Sequence, residues 1–80
     1  MLIEIITPDK EIYSGEVELI KVPGTKGSFE VLNNHAPIIS TLEKGAIKII
    51  DKAGKESFFE INSGVIEVQN NKIIVLVEMT

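Results

Sequence analysis

Few residues in this chain could do chemistry. His35 is the single histidine, and there is no cysteine. A nucleophilic site would pair that ring with a serine, and Ser28 and Ser40 flank it. Neither sits in the strand–turn–helix elbow that exposes a nucleophile, and no acidic residue lies close to His35 in sequence. Asp9 and Asp51 fall in separate turns, without metal-ligand spacing. Gly24-Thr25-Lys26-Gly27-Ser28 superficially has the make-up of a phosphate loop but not its order. The lysine precedes the glycine, and no helical pattern follows to aim N–H groups at an anion. A plain turn accounts for it. Two readings of His35 stay open: the ring orders its corner through a hydrogen bond to backbone, or it meets a partner. Pro37 forces Ala36 into an extended conformation, so the corner is stiff either way. The chain therefore reads as a non-enzyme, with no catalytic residue, cofactor or metal site.

The elements that must position these residues are strands. Fourteen isoleucines and seven valines dominate the apolar set, and branching at Cβ suits extended backbone better than helix. Turn signals recur at Pro8-Asp9, Ser14-Gly15, Pro23-Gly24 with Gly27, Asn33-Asn34, Lys44-Gly45, Ala53-Gly54, Ser63-Gly64 and Asn70-Asn71. The runs between them predict strands over Leu2–Ile6, Glu11–Tyr13, Glu16–Val22, Ser28–Leu32 and Ile38–Leu42. Further strands are predicted over Ala46–Asp51, Glu56–Ile61, Val65–Gln69 and Lys72–Glu78. Short strands punctuated this way predict an all-β fold, a small antiparallel β-sandwich of nine to ten strands. Alternation puts Ile47 and Ile49 opposite Lys48, Val17 and Leu19 opposite Glu16 and Glu18, and Ile66 and Val68 opposite Glu67. Ile73–Val77 is apolar at every position, which predicts a central strand buried on both faces.

Eighty residues make one domain, 1–80, with 44% hydrophobic content to form a core. The net charge is −4, there is no arginine, and the eight lysines are scattered among carboxylates. Phosphate backbones are bound by clustered cations, so nucleic acid is not an expected partner. No run approaches the roughly 18 apolar residues of a membrane span, and no leader pattern is visible. A soluble, by default cytoplasmic, protein without direct membrane insertion is expected.

Six short motifs, in order, add a resemblance. Ile12-Tyr13-Ser14-Gly15 is followed by the turn Pro23-Gly24-Thr25-Lys26-Gly27. Next come His35-Ala36-Pro37 and Leu42-Glu43-Lys44-Gly45, then Gly64-Val65-Ile66-Glu67-Val68 running into Asn71-Lys72-Ile73-Ile74-Val75-Leu76. Over nearly its whole length the chain resembles the β-sandwich domain of the ε subunit of bacterial F-type ATP synthases. It departs from the family at Ser28-Phe29-Glu30, where an acidic residue, an apolar one and a glycine are usual. With a strand period of two, Glu30 can share a face with Ser28 and stand in for the missing carboxylate.

The resemblance implies a non-catalytic central-stalk subunit on the cytoplasmic face of the bacterial inner membrane. It would couple rotation of the c-ring to the γ shaft of a proton-translocating synthase. It implies c-ring contacts at Gly27, Ser28, Phe29, Glu30, Asn33, Asn34 and His35. It implies γ-subunit contacts at Thr7, His35, Pro37, Ile38 and Leu42. Typical members continue into a C-terminal helical hairpin that this sequence lacks, so ATP binding is not expected. The alternative is a stand-alone β-sandwich module that binds a small ligand or peptide.

Overall fold

The computed structural model describes residues 1–79. Seven strands form: β1 (Leu2–Ile6), β2 (Glu11–Val22), β3 (Phe29–Leu32), β4 (Ile38–Leu42), β5 (Gly45–Asp51), β6 (Glu56–Gln69) and β7 (Lys72–Met79). The fold is all-β, as the β-branched runs predict. The count is seven rather than nine or ten because Ser14-Gly15 and Ser63-Gly64 do not end strands. Glu11–Tyr13 and Glu16–Val22 join as β2, and Glu56–Ile61 and Val65–Gln69 join as β6.

Those two long strands bend and serve both layers. One layer runs β3–β2–β5–β6, using Val17–Val22 of β2 and Glu56–Ile61 of β6. The other runs β4–β6–β7–β1–β2, using Gly64–Gln69 of β6 and Glu11–Glu16 of β2. Pairing is antiparallel except between β1 and β7, which run parallel. Each long strand carries an irregularity near its bend, at Val17/Leu19 in β2 and at Ile61/Ser63 in β6. A bulge adds one residue and resets the inside–outside alternation. Val17 is therefore buried while Leu19 turns outward, and Ile20 and Val22 take the inner positions. This corrects the unbroken alternation expected for Val17 and Leu19. The alternations at Ile47, Lys48 and Ile49 and at Ile66, Glu67 and Val68 are as expected.

Between the layers lies one core, almost wholly of isoleucine and valine. Ile3, Ile5, Ile20, Ile47, Ile49, Ile61, Ile66 and Ile73 are its largest fully buried side chains. Tyr13 and Phe59 close one side with their rings 5.8 Å apart. No polar or charged side chain is buried among the described residues. The N-terminal ammonium is tucked in nonetheless. It donates to the Val17 carbonyl (3.1 Å) and to Asn33 Oδ1 (2.8 Å), and lies 3.3 Å from a Glu16 carboxylate oxygen.

β7 is central, between β1 and β6, but it is not buried on both faces. Ile73, Val75 and Val77 point into the core, whereas Ile74 is half-buried and Leu76 is 45% exposed. A two-layer fold buries one face of each sheet, so among the described residues no further layer covers the outward apolar residues of β7.

Candidate partner-binding surface

The Pro23–Gly27 turn is fastened to β4. Glu43 N–H donates to the Pro23 carbonyl (2.8 Å) and Thr25 N–H to the Thr41 carbonyl (3.1 Å), while the Thr25 and Thr41 hydroxyls share a 2.8 Å hydrogen bond. Gly27 closes the turn onto the Gly24 carbonyl and takes φ +123°, a conformation suited to glycine. Ser28 is exposed beyond it. Phe29 and Glu30 then point to opposite faces. The Phe29 ring packs on the core and against Gly24, whereas Glu30 stands in solvent across from Lys21 on β2. An aromatic–carboxylate pair on one exposed face is therefore not formed.

The corner at residues 33–37 follows β3. Asn34 adopts φ +64°, and its N–H donates to Asn71 Oδ1 at 2.7 Å. His35 N–H returns to the Leu32 carbonyl, and its ring Nδ1 donates to the Ala36 carbonyl at 2.8 Å. The ring-to-backbone reading of His35 is thus realised. The ring remains exposed, so a partner can still reach it. Pro37 is exposed, Ile38 is half-buried against the core, and Leu42 is a core residue at 3% exposure.

Positions expected to act together are spread out. Ser28 and Asn33 flank the four residues of β3, a separation of about 16 Å at the usual rise of a strand. Thr7 and the corner lie toward opposite ends of β1. Thr7 caps the β1–β2 turn, its hydroxyl accepting from the N–H groups of Asp9 and Lys10. Beside that turn a shallow depression runs over Pro8, Thr41, Leu42, Val65, Leu76 and Glu78.

One surface joins these ends, and none of its residues is among the expected contacts. On the outer face of the layer that starts at β4, register places Thr41, Val65, Leu76 and Ile6 in one row and Ile39, Glu67, Ile74 and Glu4 in the next. Ile39 is 73% exposed, Val65 41% and Leu76 45%, with Ile6 and Ile74 half-buried. The corner and Pro37 border this face at one end and the Thr7-Pro8 turn at the other. Clustered exposed aliphatics of this kind make this face a candidate contact surface. The signal was present in the apolar run Ile73–Val77, whose second face was assigned to the core. No group of acidic, histidine or cysteine side chains suited to a metal occurs among the described residues. Among the described residues no helix is long and apolar enough to cross a membrane.

The chain is a small bent-strand sandwich with an apolar outer face and a stiff polar corner. By sequence the chain belongs to the family described as the β-sandwich domain of the ATP synthase delta/epsilon chain, which matches residues 1–80. An ATP synthase epsilon chain from Chlorobaculum tepidum is 38% identical over 95% of this chain and 86% of the relative. One from Myxococcus xanthus is 38% identical over 98% of this chain but 57% of the relative. One from Alkalilimnicola ehrlichii is 33% identical and covered over 54% of its length. The chain thus spans most of some relatives and little more than half of others. In fold it is similar to a chain of the Euglena gracilis mitochondrial ATP synthase F1/c-ring assembly. That likeness has TM-score 0.89 and 19% identity, covering 94% of this chain and 48% of the other. It is also similar to a chain of the central stalk and c-ring of the Tetrahymena thermophila enzyme, with TM-score 0.81, 19% identity and coverage of 96% and 62%.

Proposed function

We propose that this protein is the non-catalytic ε subunit of a proton-translocating ATP synthase. In this reading it joins the γ shaft to the c-ring on the cytoplasmic face of the membrane, so that rotation of one is passed to the other. The observation that carries the reading is the exposed aliphatic face of Ile39, Val65 and Leu76, continuous with the stiff corner at Asn33–Pro37. Transmitting torque requires a rigid body with complementary interfaces. A continuous Ile/Val core between two cross-connected layers supplies the rigidity.

The aliphatic face suits γ, with Thr7, Pro37 and Ile38 at its margins and Leu42 supporting it from beneath. Gly27, Ser28, Glu30 and the corner at Asn33, Asn34 and His35 suit the polar loops of a c-ring, while Phe29 holds that strand in place from inside. ATP is not expected to bind, because the Gly24–Ser28 segment is committed to backbone bonds with β4 and to its own turn.

The test is co-purification of the domain with separately expressed γ subunit and c-ring. Retention of wild-type protein, with loss on Leu76→Glu while the fold melts normally, is the expected result. Equal retention of both proteins would assign the face to something else, and no retention of either would remove the assembly reading.

A further inference from the structure

The Asn33–His35 corner does not hold its shape alone. Asn71, thirty-seven residues further on, accepts the Asn34 N–H at 2.7 Å through its side-chain oxygen. Its own carbonyl accepts from the Leu2 N–H at 3.2 Å. Asn70 and Asn71 form the two-residue turn between β6 and β7, with φ of +53° and +59° and Gln69 paired to Lys72. Positive φ at both central positions is the hairpin geometry for which Asn-Gly is the most favoured pair. Asn71 thus performs two separable tasks. Its backbone conformation closes the hairpin, a task glycine does better. Its side chain spans to the corner, a task glycine cannot do.

We infer that Asn71 is a positioning residue, a latch that fixes the corner in the shape its partner meets. The inference rests on the reading of that corner as a partner contact. The latch acts on Asn34, the corner residue at φ +64°, whose otherwise exposed N–H the side chain of Asn71 engages. Without the latch the corner samples other conformations, and a partner must then select the competent one. The hairpin itself is not weakened by glycine at this position.

Two variants separate the tasks. Asn71→Gly keeps or improves the turn and removes the acceptor. Asn71→Asp keeps an acceptor oxygen and tolerates the left-handed conformation. On the isolated domain, amide exchange is followed by NMR and stability by thermal melting. Asn71→Gly is expected to melt at or above the wild-type temperature. Its Asn34 amide should exchange roughly three- to tenfold faster, as for the loss of one ordinary hydrogen bond. Binding to the γ–c-ring assembly should weaken by a similar factor, and Asn71→Asp should restore both properties. A role limited to folding would move the melting temperature and the exchange rate together, which would overturn the inference. So would wild-type Asn34 exchange or wild-type binding in Asn71→Gly. Failure of the wild-type domain to bind would instead remove the assembly reading, while the exchange measurement would still decide whether the latch exists.

Discussion

Gly24 occupies a place where a side chain has no room. A Cβ there would lie 2.7 Å from the Gly27 carbonyl oxygen and 2.9 Å from the Phe29 ring. The first of these is backbone of the same turn, so the turn itself must shift. Gly24→Ala is expected to destabilise the fold by about 2 kcal/mol, lowering the melting temperature by roughly 10 °C for a domain of this size. Differential scanning calorimetry measures this directly. Glu30 presents the opposite case. It stands in solvent across from Lys21, so Glu30→Lys adds a third cation to the row that already holds Lys21 and Lys48 and is expected to cost the isolated fold less than about 1 kcal/mol. If the residue meets a basic or polar loop in the assembly, the same change is expected to cost about 1–3 kcal/mol of association. ATP-driven proton pumping in the reconstituted enzyme, read beside a thermal melt, separates these effects. Normal pumping with normal subunit retention would remove Glu30 from the coupling surface.

At the scale of an element, the bends in β2 and β6 explain how so few strands make two layers. Each long strand changes sheet at a point where the pairing slips by one residue. The slip decides which side chains enter the core, and β2 offers the cleanest check. Ile20 is fully buried while Leu19 is only partly so. Ile20→Ala is expected to cost about 2–5 kcal/mol through lost burial and a residual cavity. Leu19→Ala is expected to cost less than about 1 kcal/mol, as is usual for positions outside the core. Urea unfolding of the two variants gives the comparison. The reverse order would mean that the strand runs through without its bulge.

The whole molecule is two layers whose inner faces meet and whose outer faces differ. One outer face carries the exposed aliphatics Ile39, Val65 and Leu76. On the other, Glu30, Lys21, Lys48 and Phe58 form one row by register. Lys48 approaches Glu56 there at 3.9 Å, a surface pair of little energetic weight. An interface that excludes water needs an apolar centre within a polar rim, and the aliphatic face beside the corner has that arrangement. A Val65→Lys, Leu76→Lys double variant is therefore expected to stay folded and dissolve well, yet lose γ-subunit retention by at least tenfold. Size-exclusion chromatography with the purified partner reads this out. Titration calorimetry with Mg-ATP is expected to give no binding heat, and a micromolar dissociation constant would overturn that expectation.

The amino-acid sequence by itself determined the strand-only fold. The β-branched runs and closely spaced turn residues leave no helical alternative, since both effects act within a few residues. It also determined the stiff corner before Pro37, which is equally local, and offered the ring-to-backbone bond of His35 as one of two readings, which the folded chain realises. Only the tertiary structure decided that Ser14-Gly15 and Ser63-Gly64 lie inside strands. A Ser-Gly step is compatible with a turn or with a bent strand, and the neighbouring strand settles which one forms. Tertiary structure likewise decided that Phe29 packs inward while Glu30 faces out, that Leu42 is core, and that Asn71 reaches Asn34 across thirty-seven residues. The outward half of β7 shows the same division. Apolarity at Ile74 and Leu76 is written in the sequence, but whether a second layer of the same chain covers those residues depends on how the sheets stack. That follows from contacts between residues far apart along the chain.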